Sequence, residues 1–285
     1  MEKREPLLFL LLVIFWALNY SLIKLALNYV QPFYLTFLRL LLTLPFLAIL
    51  VPRGFKPIPG IKKNIQILIF GLFGIFGTWT LWYLGEYYIT SSLAAIIMYT
   101  YPITTMALSS SILKEKLSAM SFSGMILGFI GVIMIFYEQF YVSNIIGPLL
   151  VFLSSICWSI SIIFYKKTLS NESYATVNTY QMIYALPFTI ALVFFNPMPI
   201  YLPLKFWLVV LLLAFPGTAL AFTIYVFMYS KYSVNSITPY LFLVPAISVI
   251  FSYIIFRTEF TMLEIIGFLF LSLGIYLTTK RTTPS

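Results

Sequence analysis

Ten stretches of this chain are apolar enough and long enough to cross a bilayer as helices. They run over residues 6–27, 32–51, 65–88, 91–113, 120–137, 145–168, 175–195, 204–230, 234–256 and 262–279. A spanning helix needs roughly 20 such residues. With 61% hydrophobic and 9% charged residues, a soluble domain of this composition would lack the polar surface to face water. The expected fold class is therefore an all-α membrane protein with ten transmembrane helices joined by short loops. A plasma-membrane, multi-pass location in contact with the lipid bilayer follows. Part of the aromatic content, 21 Tyr and 28 Phe, belongs to interfacial belts.

Composition also removes several functions. His is absent and Cys157 stands alone, which excludes a zinc site, a His-based triad and an internal disulfide. No cofactor is expected. The net charge of +9 does not point to nucleic acid, because the basic residues fall in short loops and read as a topology signal. Thirteen of the 17 Lys and Arg lie on one side if the N-terminus is cytoplasmic, among them Lys3, Arg4, Arg53, Lys56, Lys62, Lys63, Lys114 and Lys116. Only Lys205 and Arg257 lie in the opposite connections, and the excess predicts both termini in the cytoplasm. The run after MEKREP is too long for a signal-peptide core and ends without a small-residue cleavage site, so the first helix is expected to stay.

Landmarks repeat along the chain. Trp16 and Trp158 are 142 residues apart, as are Lys24 and Lys166, and the Leu-Pro-Phe triplets at 44–46 and 186–188. Pro102 and Pro245, Gly124 and Gly267, and Gly131 and Gly274 are 143 apart, and Glu115 and Glu259 are 144 apart. A near-constant offset over so many landmarks divides the chain into halves, residues 1–140 and 141–285, of five helices each. Five is odd, so the second half enters from the opposite face and the repeat is inverted. Pro102 and Pro245 each lie inside an apolar run, where a proline frees a carbonyl that lipid cannot satisfy. Both helices should face protein or a water-filled cavity, and the prolines are expected hinges.

The stretches WALNYSLIKLAL at 16–27, FLRLLLTLPFL at 37–47 and YYITSSLAAIIMYTYPITTMALSSSILKEKLSAMSFSGMILGFIGVIMI at 87–135 resemble the EamA-type family of the drug/metabolite transporter superfamily. CWSISIIFYKKTL at 157–169 and LVPAISVIFSYIIFRTEFTMLEIIGFLFLSLGIYL at 243–277 match more loosely. The resemblance implies a ten-helix carrier of amino acids, other small metabolites or drugs, with both termini cytoplasmic. Two departures are Gln181, where the repeat of Arg39 would put a second arginine, and Arg257-Thr258-Glu259 in place of the more usual Gly-Glu.

Intramembrane polar residues are the functional candidates. Arg39, Lys24 and Glu86 form an expected charged vestibule, in which a cation meets a substrate carboxylate and Glu86 balances the charge. The structural alternative is an ion pair within this trio or a snorkelled lysine. Polar and aromatic faces supply the expected cavity: Trp16 and Asn19; Trp79 and Tyr83; Tyr99; Ser154, Trp158, Ser161 and Tyr165; Tyr225; Asn235 and Thr238. Such a lining suits a zwitterionic or neutral solute with an apolar side chain. The alternative is that the hydroxyls bond their own helices and the aromatics only pack.

The expected function is secondary transport of a small organic metabolite by alternating access, most readily export of an amino acid. A lipophilic drug, a nucleoside or a nucleotide sugar is the alternative cargo, and a non-transporting membrane scaffold is the alternative class. The expected partners are a small-molecule substrate and lipid, with the protein a monomer or homodimer. No enzyme activity is expected, because no His, Asp or Cys cluster exists to do chemistry.

Overall fold

The computed structural model describes residues 5–56, 58, 60–89, 91–135, 137, 145–194, 201–256 and 261–279. Lys3, Arg4, Lys280, Arg281 and the Arg257-Thr258-Glu259 run lie outside them. The first half contains α1 (Glu5–Leu27), α2 (Pro32–Leu50), α3 (Ile61–Tyr88), α4 (Leu93–Leu113) and α5 (Ala119–Ile135). The second contains α6 (Ile146–Thr168), α7 (Tyr174–Phe194), α8 (Leu204–Lys231), α9, which starts at Val234, and α10 (Met262–Thr279). The chain is a ten-helix membrane protein built from two inverted five-helix repeats.

One boundary differs from expectation. α3 begins at Ile61, which draws Lys62 and Lys63 into its first turn. Gly60, at φ +98°, swings the chain into the helix. The Asn64 amide fastens that turn by donating to the carbonyls of Ile58 and Gly60, both at 2.9 Å. Lys63 then reaches Glu172 at 2.9 Å and the Thr168 carbonyl at 3.1 Å.

Four helices depart locally from α geometry in the middle of the bundle. α3 and α8 each contain a π-helical segment, Leu72–Gly77 and Phe215–Leu220. These two segments are related by the 143-residue offset. π turns leave carbonyls out of the regular ladder. A threonine hydroxyl takes one up in each helix, Thr78 from Phe73 and Thr218 from Leu213, both at 2.7 Å. α4 breaks at Tyr99–Thr100 and restarts at Tyr101, with Pro102 second in the new helix. A missing N–H costs nothing in a first turn. α9 opens with Val234–Ile237, passes through a 3-10 turn at Thr238–Phe242 and resumes as Leu243–Phe256, with Pro245 in its first turn.

α5 and α10 cross at their glycines. A Cβ on Gly274 would meet the Gly124 carbonyl and the Gly128 nitrogen at 2.5 Å, and one on Gly131 would meet the Gly267 carbonyl at 2.6 Å. Small residues let membrane helices approach to backbone contact. Two further seams between the repeats, α4–α6 and α9–α1, differ in chemistry. On the α4–α6 seam Thr100 bonds Ser155 at 3.0 Å, and Thr104 and Thr105 bond Ser159 at 2.6 and 3.0 Å. Applying the offsets to the α9–α1 seam gives Leu243, Ile247, Val13 and Ala17 in four of these five places.

Candidate functional site

Arg39 is the charge around which the middle of the bundle is arranged. It is 2% exposed, and an uncompensated cation there would cost several kcal/mol, on the order of 3 or more. α3 and α8 supply the compensation. Nε donates to Thr218 Oγ1 at 2.7 Å, Nη1 to the Tyr83 hydroxyl, and Nη2 to the Gly217 carbonyl at 3.2 Å. The guanidinium carbon lies 4.4 Å from the Trp79 ring centroid, a cation–π contact worth about 2 kcal/mol when desolvated. Thr218 and Gly217 belong to the π turn of α8, whose irregular backbone is what presents a carbonyl sideways to the arginine. A guanidinium carries five N–H donors, so two remain for a ligand.

Beside Arg39 opens a pocket with about 490 Å³ of atom-free space, part of it at its mouth. Trp16, Trp158 and Phe222 form one wall, with ring centroids 5.5–5.9 Å apart in edge-to-face contact. Trp79 closes onto Phe222 at 5.6 Å. Tyr20 and Trp82, at 5.1 Å, stand on the far side, and Tyr99 packs on Tyr20 and Tyr101. Arg39 is the one charged residue among the described residues lining the pocket. Asn19 donates from Nδ2 to the Gly217 carbonyl at 3.3 Å. Its Oδ1 and the Trp82 Nε1–H are buried without a partner among the described residues.

The expected cavity residues divide accordingly. Trp16, Asn19, Trp79, Tyr99, Trp158 and Arg39 line the pocket. Tyr83 stands behind as a partner of Arg39. Ser154 donates to the Thr78 carbonyl at 2.8 Å, and Ser161 to the Trp158 carbonyl at 2.7 Å while packing on Gly74. Tyr225 is not among the lining residues and instead packs on two of them, its ring 4.9 Å from Trp16 and 5.2 Å from Trp158. Tyr165 packs on Phe70 at 5.2 Å. Lys24, Glu86, Pro102 and Pro245 are not among the lining residues. Tyr20, Trp82 and Phe222, neighbours of expected residues on the same helix faces, line it too, and Thr78, Met98, Tyr101 and Val244 line it without having been expected. The signal for Tyr101 was the break before Pro102, which resets the helical phase so that Tyr99 and Tyr101 turn to the same space.

The end of the bundle where α1 begins is sealed. Here Glu5 pairs with Lys231 at 2.6 Å and accepts from the Tyr232 hydroxyl. The Glu115 carboxylate accepts from the backbone N–H groups of Val234 and Asn235 at 3.0 and 2.9 Å, and the Asn235 side chain donates to the Lys116 carbonyl. Thr238 bonds the Tyr229 hydroxyl at 2.9 Å. Asn235 and Thr238 thus belong to this seal rather than to the pocket lining. In α1 to α4 the lining residues fall at or beyond mid-helix, away from the sealed end.

Comparison with known proteins agrees with this architecture. The sequence profile described as the EamA-like transporter family matches residues 3–137 and again 145–280. An uncharacterized transporter of Archaeoglobus fulgidus is 24% identical over 99% of both chains. A probable amino-acid metabolite efflux pump of Salmonella typhimurium is 24% identical, with 97% of this chain and 95% of that one aligned. A protein of the same description from Escherichia coli is 22% identical over the same shares. One solved crystal structure superposes with a TM-score of 0.81 over 98% of this chain and 99% of its own, at 17% identity, a likeness of fold.

Proposed function

This chain belongs to the EamA-like transporter family, and from that premise we propose that it exports an amino acid or related carboxylate with a large apolar or aromatic side chain. The observation that carries the reading is Arg39, a lone buried cation on the wall of an aromatic pocket. A substrate carboxylate would take the two free guanidinium donors, a bidentate geometry to which arginine is suited. The side chain would lie against Trp16, Trp158 and Phe222, where aromatic contacts add about 0.5–1.5 kcal/mol beyond burial. Asn19 Oδ1 would accept from the substrate nitrogen.

The charge of the pocket also favours this cargo over the alternatives. A cationic drug would meet Arg39 with no lining carboxylate to offset it, and a nucleotide sugar would bring two phosphates to one cation. Lining acids being absent among the described residues, downhill export or exchange is the simplest energetics. The carrier would work by alternating access in the plasma membrane. Residues 1–140 and 141–285 would act as its two units, with Lys24 and Glu86 at the outer mouth. With both termini cytoplasmic, as the basic loops favour, the sealed end is the inner one and this conformation opens outward.

A counterflow screen in reconstituted vesicles tests the reading. Amino acids with large apolar side chains should exchange, and cationic dyes and nucleosides should not. Exchange of dyes with none of amino acids would overturn it.

A further inference from the structure

The sealed end carries a contact whose repeat counterpart is unmade. Lys166, near the end of α6, donates from Nζ to the carbonyls of Tyr229 and Tyr232 at 3.0 and 2.8 Å. These carbonyls belong to the last turn and exit of α8, where helix geometry leaves acceptors without intrahelical donors. A cation is also favoured there by the helix dipole. The 142-residue offset converts Lys166 into Lys24, near the opposite end of α1. The 143-residue offset that relates the two π turns converts Tyr229 and Tyr232 into Glu86 and Ile89, at the end of α3. Lys24 is half-buried and makes no hydrogen bond or ion pair among the described residues. Its helix already touches α3 through Tyr20 and Trp82 at 5.1 Å, and Lys24 and Glu86 come one turn further along each helix.

We propose that Lys166 and Lys24 are alternating latches. In the conformation described, Lys166 holds α6 to α8 and closes the end that carries the N-terminus. In the opposite conformation Lys166 releases, and Lys24 donates to the carbonyls of Glu86 and Ile89, drawing α1 to α3 and closing the other end. Lysine suits this exchange because three donors on a flexible stem can grip two carbonyls in one state and return to water in the next. The released carbonyls lie at a helix end that water reaches when that side opens, so neither state strands a dry polar group. The inference rests on the carrier reading for the existence of a second state, and is independent of the cargo.

The test uses spin labels on the full chain in vesicles without substrate, so its failure would leave the exchange screen untouched, and the converse. One pair, Asn171 and Ser233, reports the latched end; the other, Asn28 and Tyr87, reports the opposite end. Lys166→Met should lengthen the first distance, shorten the second and shift the ratio of the two populations by about tenfold or more, the effect of losing at least one charge-assisted hydrogen bond. Adding Lys24→Met should pull the ratio back. Unchanged distances in Lys166→Met, or Lys24→Met acting in the same direction, would overturn the proposal. A second measurement stands if Lys166→Met does not fold. In a Cys157→Ser background, Lys24→Cys with Ile89→Cys should cross-link under mild oxidant and trap the long Asn171–Ser233 distance. Absence of the cross-link would overturn the proposal equally.

Discussion

Arg39 and Thr218 join the two repeats through an Nε–Oγ1 hydrogen bond of 2.7 Å, which fastens the charge of one half to the π turn of the other. The repeat counterpart of Arg39 is Gln181. It donates to Asn178 Oδ1 at 2.8 Å, and Asn178 in turn donates to Thr223 at 3.1 Å. The backbone is two-fold symmetric, but the cation is present once. A ligand drawn to it would sit off the symmetry axis, in contact with α1, α2 and α3 more than with their counterparts.

Replacing Arg39 should therefore separate binding from folding. Arg39→Met forfeits the ligand's charge-assisted bonds, worth about 1.5–3 kcal/mol each, and exchange of carboxylate substrates should fall by about a hundredfold or more. Arg39→Lys keeps the charge but cannot form the fork that reaches Thr218, Tyr83 and Gly217 together, so exchange should stay at least about tenfold low. Initial rates of counterflow, set beside the Tm of each variant, check this.

The glycines of the two π turns offer an internal control. Asn19 lies so close to Gly217 that an alanine Cβ would overlap its Oδ1, whereas at the counterpart, Gly74, the nearest atom is Ser161 Oγ at 3.1 Å. Gly217→Ala should cost about 1–3 kcal/mol by overpacking and also break the Asn19 bond to the Gly217 carbonyl. Gly74→Ala should cost less, since a serine hydroxyl can rotate aside. Thermal unfolding of the two variants gives the order, and Asn19→Ser should recover part of the loss in Gly217→Ala.

The hydroxyl seam between α4 and α6 should contribute measurable stability. Ser159 bonds Thr104 and Thr105 across the seam as well as the Tyr101 carbonyl at 3.2 Å. Hydrogen bonds between membrane helices are worth about 0.6 kcal/mol on average and up to roughly 2. Ser159→Ala should accordingly lower stability by about 1–2 kcal/mol. A double-mutant cycle with Thr104→Val should show coupling, because both variants remove the same 2.6 Å contact.

Helices, repeats and half of the pocket were legible in the residues because each rests on spacing. Trp16 and Trp158 share one offset and meet at 5.9 Å, as an inverted repeat brings equivalent positions of α1 and α6 to its axis. Apolar length located all ten helices. Arg39 was legible as a candidate, but its principal partners were not. Gly217 and Thr218 are about 180 residues away, and their acceptor geometry comes from a π turn that no composition or periodicity announces. Asn235 and Thr238 share a polar face that reads equally as cavity or seal; the Glu115 contacts, made 120 residues apart, decide for the seal. Thr78 and Tyr101 escaped because each lies at a break where helical phase is reset.

Pro102 and Pro245 provide the last test, because the structure gives them different surroundings. Pro102 is second in a helix that restarts after the turn at Tyr99–Thr100. Alanine there supplies an N–H that can bond the Met98 carbonyl, continue the helix through the break and rotate Tyr99 and Tyr101 away from each other. Pro102→Ala should then leave Tm within a few degrees, since a hydrogen bond worth about 1 kcal/mol is gained, and slow exchange by about tenfold. The approach to Pro245 is already a 3-10 turn with Pro239 in its first positions, so one alanine cannot make α9 continuous. Pro245→Ala should slow exchange less than Pro102→Ala does. Equal losses of rate and of Tm in both variants would mean that the prolines set the fold of these helices and not the movement between states.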